Sequence, residues 1–373
     1  MRWEEKRLDD IGLVARGRSR HRPRDAAHLY DGPYPFVQTG DVKHADLYLT
    51  YYSQTYSEAG REQSKLWPQG TLRITIAANI AETAILGFDA CFPDSVIGFV
   101  ADESQCDVRF IKYKFDTIKQ RYQQVSQGVA QDNLSLEKLL AFKLVVPPVD
   151  EQRRIADILS AYDDLIENNR RRMALLEETA RQLYREWFVR LCFPGHEHTR
   201  IIQGVPEGWE FKSLGEVAPL NYGKALKEEN RLEGITPVYG SSGVVGSHSE
   251  ALVSGPGIIV GRKGNVGSVF WSDTPFWPID TVYFVSPEES SLFLFHCLRQ
   301  VSFQNSDVAV PGLNRIYAHS LKILMPSRRL RVEFEETIAP MFEQLTKLQT
   351  MNQKLRTARD LLLPRLMSGE IAV

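Results

Sequence analysis

The sequence predicts a mixed α+β chain of two homologous compact domains, each followed by a long helix. The two helices are expected to pair as an antiparallel coiled-coil spacer, with pseudo-twofold symmetry between the halves. Three observations predict this architecture: the chain is written twice, each half changes composition once, and the two helical segments carry matched heptads with one asparagine each. With 373 residues, 43% hydrophobic and 25% charged, the composition is globular and long enough for more than one core. The formal charge is only −2, so any surface for nucleic acid must be local rather than a property of net charge. Cys91, Cys106, Cys192 and Cys297 form no C-x-x-C pair, which points to neither a zinc site nor a disulfide framework. The charged N-terminus lacks the apolar core of a signal peptide, and no apolar run approaches the ~18 residues of a membrane span. A soluble, reducing, cytoplasmic setting is therefore expected.

The repeat appears when the sequence is laid against itself. Trp3-Glu4-Glu5-Lys6-Arg7-Leu8 aligns with Trp209-Glu210-Phe211-Lys212-Ser213-Leu214 at an offset of 206 residues. Pro93 with Phe99-Val100 matches Pro278 with Phe284-Val285 at 185, and Leu134, Lys143 and Pro147 match Leu313, Lys322 and Pro326 at 179. The offset falls because the first copy has longer loops. Residues 1–147 and 193–326 are rich in Gly, Pro and aromatics with short apolar runs such as Gly257-Ile258-Ile259-Val260, the pattern of short strands between turns. Residues 148–192 and 327–373 carry long charged stretches with regular apolar positions and read as helices. Asp150 and Ser327 are candidate caps at their starts, and Gly369 stands where the second should stop.

In the first helix an apolar seam falls on Ile155, Leu159, Tyr162, Ile166, Asn169, Met173, Leu176, Ala180, Leu183 and Trp187, the alternating four-three spacing of a coiled coil. The second seam runs Phe334, Ile338, Met341, Leu345, Leu348, Asn352, Leu355, Arg359, Leu362 and Leu366. Antiparallel layers whose residue numbers sum to 521 place Asn169 opposite Asn352, Ile155 opposite Leu366 and Trp187 opposite Phe334. Parallel pairing would leave each amide against an apolar partner, at a cost of roughly 1 to 3 kcal/mol apiece. The competing reading is a pair of amphipathic helices packed only on their own domains. Pro340 is expected to bend or split the first turns of the second helix, whereas Pro364 is close enough to its end to be tolerated.

Catalytic signatures are missing: there is no Walker lysine loop, G-x-S-x-G elbow, H-E-x-x-H or Pro-Pro-aromatic methylation box. The Glu-x-Lys triplets, Glu4-Glu5-Lys6 and Glu210-Phe211-Lys212, are repeat mates at domain starts and read as edge-strand charges. Basic residues are placed rather than spread. Arg16, Arg18, Arg20, Arg22 and Arg24 alternate, so in an extended segment all five would project to one side, toward phosphates; a disordered basic loop is the other reading. Gly17 aligns with Gly223, and Lys224 follows it. The glycine-rich loop 261–267 is read as a hairpin tip presenting Arg262, Lys263 and Asn265 to a groove; its counterpart keeps Asn79. A third pair of loops offers Gln131, Asn133, Asn314 and Arg315, side chains suited to adenine or guanine edges.

Pro206-Glu207-Gly208-Trp209-Glu210, Pro147-Pro148 with Glu151-Gln152 and Ile155-Ala156, and Leu361-Leu362-Leu363-Pro364-Arg365-Leu366 with Gly369-Glu370-Ile371 together carry a resemblance. Over essentially its whole length the chain resembles the specificity subunit of type I restriction-modification systems. It departs in having Pro326-Ser327-Arg328-Arg329 where the family has Pro-Glu-Gln. The resemblance implies that residues 1–147 and 193–326 are target recognition domains, each reading half of a bipartite double-stranded DNA target. Residues 148–192 and 327–373 would set the spacer and dock two methyltransferase subunits, with motor-nuclease subunits as further partners. It implies a non-catalytic chain without a cofactor of its own, S-adenosylmethionine, ATP and Mg being expected only in partner subunits. The alternatives are the specificity subunit of a methylation-only complex, a standalone enzyme, and a two-domain protein scaffold without DNA selectivity.

Overall fold

A computed structural model describes residues 3–44, 47–75, 82–125, 136–303 and 312–373, the side chains of 42–44 and 120–125 excepted. The chain divides into two compact units, Met1–Asn169 with Met351–Val373, and Arg170–Thr350. The division passes through both long helices, Val149–Tyr184 and Arg328–Met367. Each unit is thus one domain packed on one end of each helix, rather than a domain with the whole of the helix that follows it.

The same strand order recurs inside both units. In the first, Glu4–Arg7 pairs with Lys143–Val146; a five-stranded sheet runs in the order Gly12–Arg16, Val96–Ala101, Leu72–Thr75, Thr83–Leu86, Tyr48–Leu49; and a four-stranded sheet runs Gln54–Tyr56, Tyr30–Phe36, Ala90–Cys91, Leu66–Trp67. In the second, Glu210–Ser213 pairs with Lys322–Met325; a four-stranded sheet runs Asn221–Tyr222, Val282–Val285, Gly257–Gly261, Val269–Ser272; and a three-stranded sheet runs Gly243–His248, Thr236–Gly240, Trp277–Pro278. The aligned glycines have one physical cause. A Cβ on Gly17 would stand 2.3 Å from the Pro93 carbonyl oxygen, and one on Gly223 would stand 2.1 Å from that of Ile279. The Glu-x-Lys triplets lie on the first strands of the two-stranded ribbons, where Glu5 meets Lys143 at 3.1 Å and Glu210 meets Lys212 at 2.7 Å.

The core of the first unit joins Leu72, Ile74, Ile97, Phe99, Phe110 and Ile111 to Ile155, Ala156 and Leu159 of the first helix and Leu363, Leu366 and Met367 of the second. Gln152, buried at the helix entry, donates to the Pro147 carbonyl at 2.8 Å and accepts from the Asp107 amide at 3.1 Å. Asp150 lies inside the first turn and is not the cap, because the Glu151 amide already donates to the Pro148 carbonyl at 2.9 Å. The core of the second unit joins Ile258, Val260, Tyr283 and Phe293 to Tyr184, Trp187 and Phe188 of the first helix and Phe334, Ile338 and Phe342 of the second. There Ser327 does cap, accepting from the Leu330 amide at 3.4 Å, and the Glu335 carboxylate holds the amides of Leu292 and Phe293 at 3.2 and 2.6 Å.

The helices pack on the domains and also on each other, and each helix enters the core of both units, so the reading in which each packs only on its own domain does not hold. In the first unit Asn169 Nδ2 donates to Asn352 Oδ1 at 2.9 Å, and Asn352 Nδ2 donates to the Ile166 carbonyl at 3.3 Å. In the second unit the Trp187 and Phe334 rings are 5.7 Å apart. Antiparallel register therefore holds within each unit. Four seam positions are corrected: Asp163, Tyr184, Phe342 and Leu363 are buried where Tyr162, Leu183, Met341 and Leu362 were expected, and Asp163 is the polar one among them. Asp163 accepts from the Tyr113 hydroxyl at 2.5 Å and pairs with Arg359, which explains the basic residue in the second seam. Arg328–Met367 is a single helix, so the expected split at Pro340 does not occur. Pro340 sits on the exposed side, where water can satisfy the carbonyl that loses its partner. Gly369 takes a left-handed φ of 75° just past the helix end, and its amide donates to the Leu366 carbonyl at 3.2 Å. Among the described residues no helix is long and apolar enough to cross a membrane.

Candidate nucleic-acid interface

In the second unit, sheet register gathers basic and aromatic side chains at one end of the four-stranded sheet. Tyr222 faces Tyr283, Tyr283 faces Val260, and Gly261 faces Val282, so Tyr222, Tyr283 and Arg262 come out together. Gly261 must be glycine, because a Cβ would stand 2.1 Å from the Asn265 carbonyl oxygen. Gly264 and Gly267 complete the tight loop with φ of 76° and 77°. Arg262 and Lys263 do not occupy its tip, as the sequence suggested. Their amides donate to the Thr281 carbonyl at 2.9 and 3.1 Å, and the Arg262 carbonyl accepts from the Leu313 amide at 2.8 Å. These bonds hold the two residues in line with the sheet and leave Gly264 and Asn265 exposed at the turn.

The loop carrying Arg315 is fixed by the same contacts. The buried Tyr283 hydroxyl donates to the Leu313 carbonyl at 2.8 Å, and burial raises its pKa, keeping it a donor. Asn314 accepts from the Tyr317 amide at 3.1 Å, capping the helix Arg315–Ser320; its amide oxygen is committed there rather than left for a base. At the far end His319 accepts from the Leu220 amide at 2.9 Å, a bond that needs the neutral ring. Burial first and Arg315 second lower its pKa accordingly.

The guanidinium of Arg262 lies 5.0 Å from the Tyr222 ring centroid and 5.6 Å from that of Tyr283, with one N–H donated to the Asp280 carbonyl at 3.2 Å. Arg315 lies 4.7 Å from the Tyr222 centroid. Lys263 is 3.6 Å from the Asp280 carboxylate, and Lys224 is 5.8 Å from the Trp277 ring, whose indole N–H donates to the Lys224 carbonyl. Asn265 donates to Ser242 at 3.3 Å. The structure thus brings Arg262, Lys263 and Arg315 around Tyr222 and Asp280, with Lys224 close by in the chain. Sequence reasoning missed Tyr222 and Tyr283, which carry no motif; only their pairing across adjacent strands shows them as a platform.

The arginine run of the first unit does not form one cationic face. Its strand ends at Arg16, because Gly17 and Arg18 are pinned by bonds to the carbonyls of Val96 and Phe92 at 2.8 and 3.1 Å, and a turn follows. Arg18 donates to the Ser64 carbonyl, Arg22 to those of Ser19 and His21, and Arg24 pairs with Asp94 at 3.0 Å. Arg16 and Arg20 are exposed, and neither side chain has a partner among the described residues. Asn79, Gln131 and Asn133 lie outside the described residues.

Comparison with known proteins agrees with the duplication. The family model described as "Type I restriction modification DNA specificity domain" matches twice, over residues 1–178 and 206–357. The chain is 23% identical to the type I restriction enzyme MjaIX specificity subunit of Methanocaldococcus jannaschii, covering 100% of this chain and 94% of that one. It is 24% identical to the HindI specificity subunit of Haemophilus influenzae over 64% of this chain and 71% of that one. The crystal structure of a type I restriction-modification S subunit from M. genitalium has the same fold, with a TM-score of 0.61 at 18% identity, covering 98% of this chain and 96% of that one.

Proposed function

The chain belongs to the type I restriction-modification DNA specificity family and is the sequence-specificity subunit of such a system; we propose that it reads a bipartite target, one half-site per domain. The observation that supports this is the duplicated strand order with cations at the same sheet end in both units: Arg16 in the first, and Arg262 and Arg315 in the second. Guanidinium N–H groups match the O6 and N7 acceptors of guanine and the oxygens of phosphate. Lys224, Lys263, Asn265 and Arg315 belong with Arg262 to the second half-site, and Arg16 and Arg20 to phosphates beside the first. The helical regions set the spacer and dock two methyltransferase subunits, and motor-nuclease subunits join the complete restriction complex. Adenine methylation and DNA cleavage reside in those partners, which bring S-adenosylmethionine, ATP and Mg, and this chain is the non-catalytic member. The test is to sequence methylated sites made by the complex with its methyltransferase partner. Arg262→Ala and Arg315→Ala are each expected to cost roughly 1 to 3 kcal/mol of discrimination in one half-site alone. A change in the half-site read by residues 1–147 would overturn the division of labour.

A further inference from the structure

The two arginines at the edge of the second unit come from different segments, the end of the strand Gly257–Gly261 and the start of the helix Arg315–Ser320. Two guanidiniums repel when brought close, and an arginine at a helix N-terminus also opposes the helix dipole. Each is nevertheless set over the same ring, Tyr222, at 5.0 and 4.7 Å from its centroid. That ring is half-exposed and buries little, so core packing does not explain it. Its negative face is the feature that offsets the repulsion. Tyr283 stands beside it at 5.1 Å and fixes its tilt, while also anchoring Leu313 two residues before Arg315. Attraction to a ring face engages a guanidinium through its plane and leaves the N–H groups on its edge available, which is the edge that guanine requires.

Building on the DNA-reading function above, we propose that Tyr222 is a positioning residue for specificity: it presents Arg262 and Arg315 together, and Arg315 reads the O6 and N7 edge of a guanine in the second half-site. A ring without a hydroxyl suffices for this role, whereas an aliphatic side chain of similar bulk does not.

The experiment uses the full chain in complex with its methyltransferase partner on a library of randomised sites, comparing Tyr222→Phe, Tyr222→Leu, Arg262→Ala and Arg315→Ala. Tyr222→Phe is expected to keep the parent selectivity. Tyr222→Leu is expected to lose about tenfold discrimination at the same G·C base pairs that Arg315→Ala relaxes, with the first half-site and the thermal unfolding midpoint unchanged. If the arginine variants relax the half-site and Tyr222→Leu does not, the positioning role is wrong while the DNA-reading function stands. If Tyr222→Phe loses as much as Tyr222→Leu, the hydroxyl and not the ring face is at work and the inference fails. Relaxation at A·T pairs would exclude guanine as the base read, and selectivity untouched by any of the four would overturn both the inference and the function it rests on.

Discussion

The arginines of residues 16–24 show how burial and partners sort identical side chains into different work. Arg18 donates to the Ser64 carbonyl, and Ser64 Oγ donates back to the Arg18 carbonyl at 2.7 Å. Arg18→Ala is therefore expected to cost about 1.5 to 3 kcal/mol of folding stability, read from the urea midpoint, with little change in the salt dependence of DNA binding. Arg16→Ala and Arg20→Ala should do the reverse, leaving stability alone and flattening the log–log salt slope by about one unit for each phosphate no longer neutralised. The alternation of arginines was legible in the sequence. Their division was not, because it depends on Ser64 and Asp94, residues brought alongside only by tertiary folding. A second case is His296, buried among Tyr184, Phe295, Phe334 and Phe342 with no partner for Nε2 among the described residues. Burial, and to a lesser degree Arg299, lowers its pKa from 6.5 to about 4. The unfolded chain takes up a proton that the folded one refuses between those values, so this residue's stabilising share is complete above pH 6.5 and falls as pH drops toward 4. Its size is about 3 kcal/mol. His296→Phe should flatten the dependence of the urea midpoint on pH in that window, compared with the parent; an unchanged profile would show that the ring stays accessible to protons.

At the scale of the element, the long helices separate what a heptad pattern can and cannot determine. Matching one asparagine to the other was enough to set direction and register, because a buried amide strongly prefers an amide opposite it, and Asn169 does meet Asn352. The pattern misplaced four buried positions, at 162, 183, 341 and 362, because it assumes that a helix has a single partner. The first helix also packs on the helix Val108–Val125, whose Tyr113 reaches Asp163 and draws Arg359 into the same buried cluster. Desolvation, and then the Asp163 charge, push the Tyr113 phenol far up, so it remains a donor. Two outcomes distinguish these polar contacts. Arg359→Met leaves Asp163 buried without its cation and is expected to cost about 3 to 5 kcal/mol. Replacing both Asn169 and Asn352 by Leu should instead raise the unfolding midpoint while loosening register, visible as heterogeneous cross-linking between cysteines placed at 166 and 355.

For the molecule as a whole, duplication was the most legible feature, since Trp3 and Trp209, and Gly17 and Gly223, mark equivalent backbone positions in two copies of one strand order; the match of Pro93 to Pro278 is one residue out, because the Arg18 and Lys224 amides donate to the carbonyls of Phe92 and Pro278. The recognition edges were the least legible, because their geometry comes from loops clamped by cross-strand bonds such as Arg262 to Thr281 and Leu313. If the helices set the spacing of a split target, their length should be a variable separate from both edges. Seven residues inserted within 171–178 and seven within the matching stretch 343–350 keep every layer paired, because both insertions fall between the Asn169–Asn352 and Trp187–Phe334 contacts. Seven residues return the helix to within about 20° of its original face and add about 10 Å, the rise of roughly three base pairs. Three base pairs also turn one half-site about 100° around the duplex, so the double-insertion variant should bind more weakly than the parent. Sites methylated by its complex are expected to keep both half-site sequences and to lengthen the unread spacer by about three base pairs. Insertion into only one helix forces either the asparagine pair or the Trp187–Phe334 pair out of register and should abolish selective methylation. Unchanged spacing in the double-insertion variant, with both half-sites still read, would show that the helices do not measure the target.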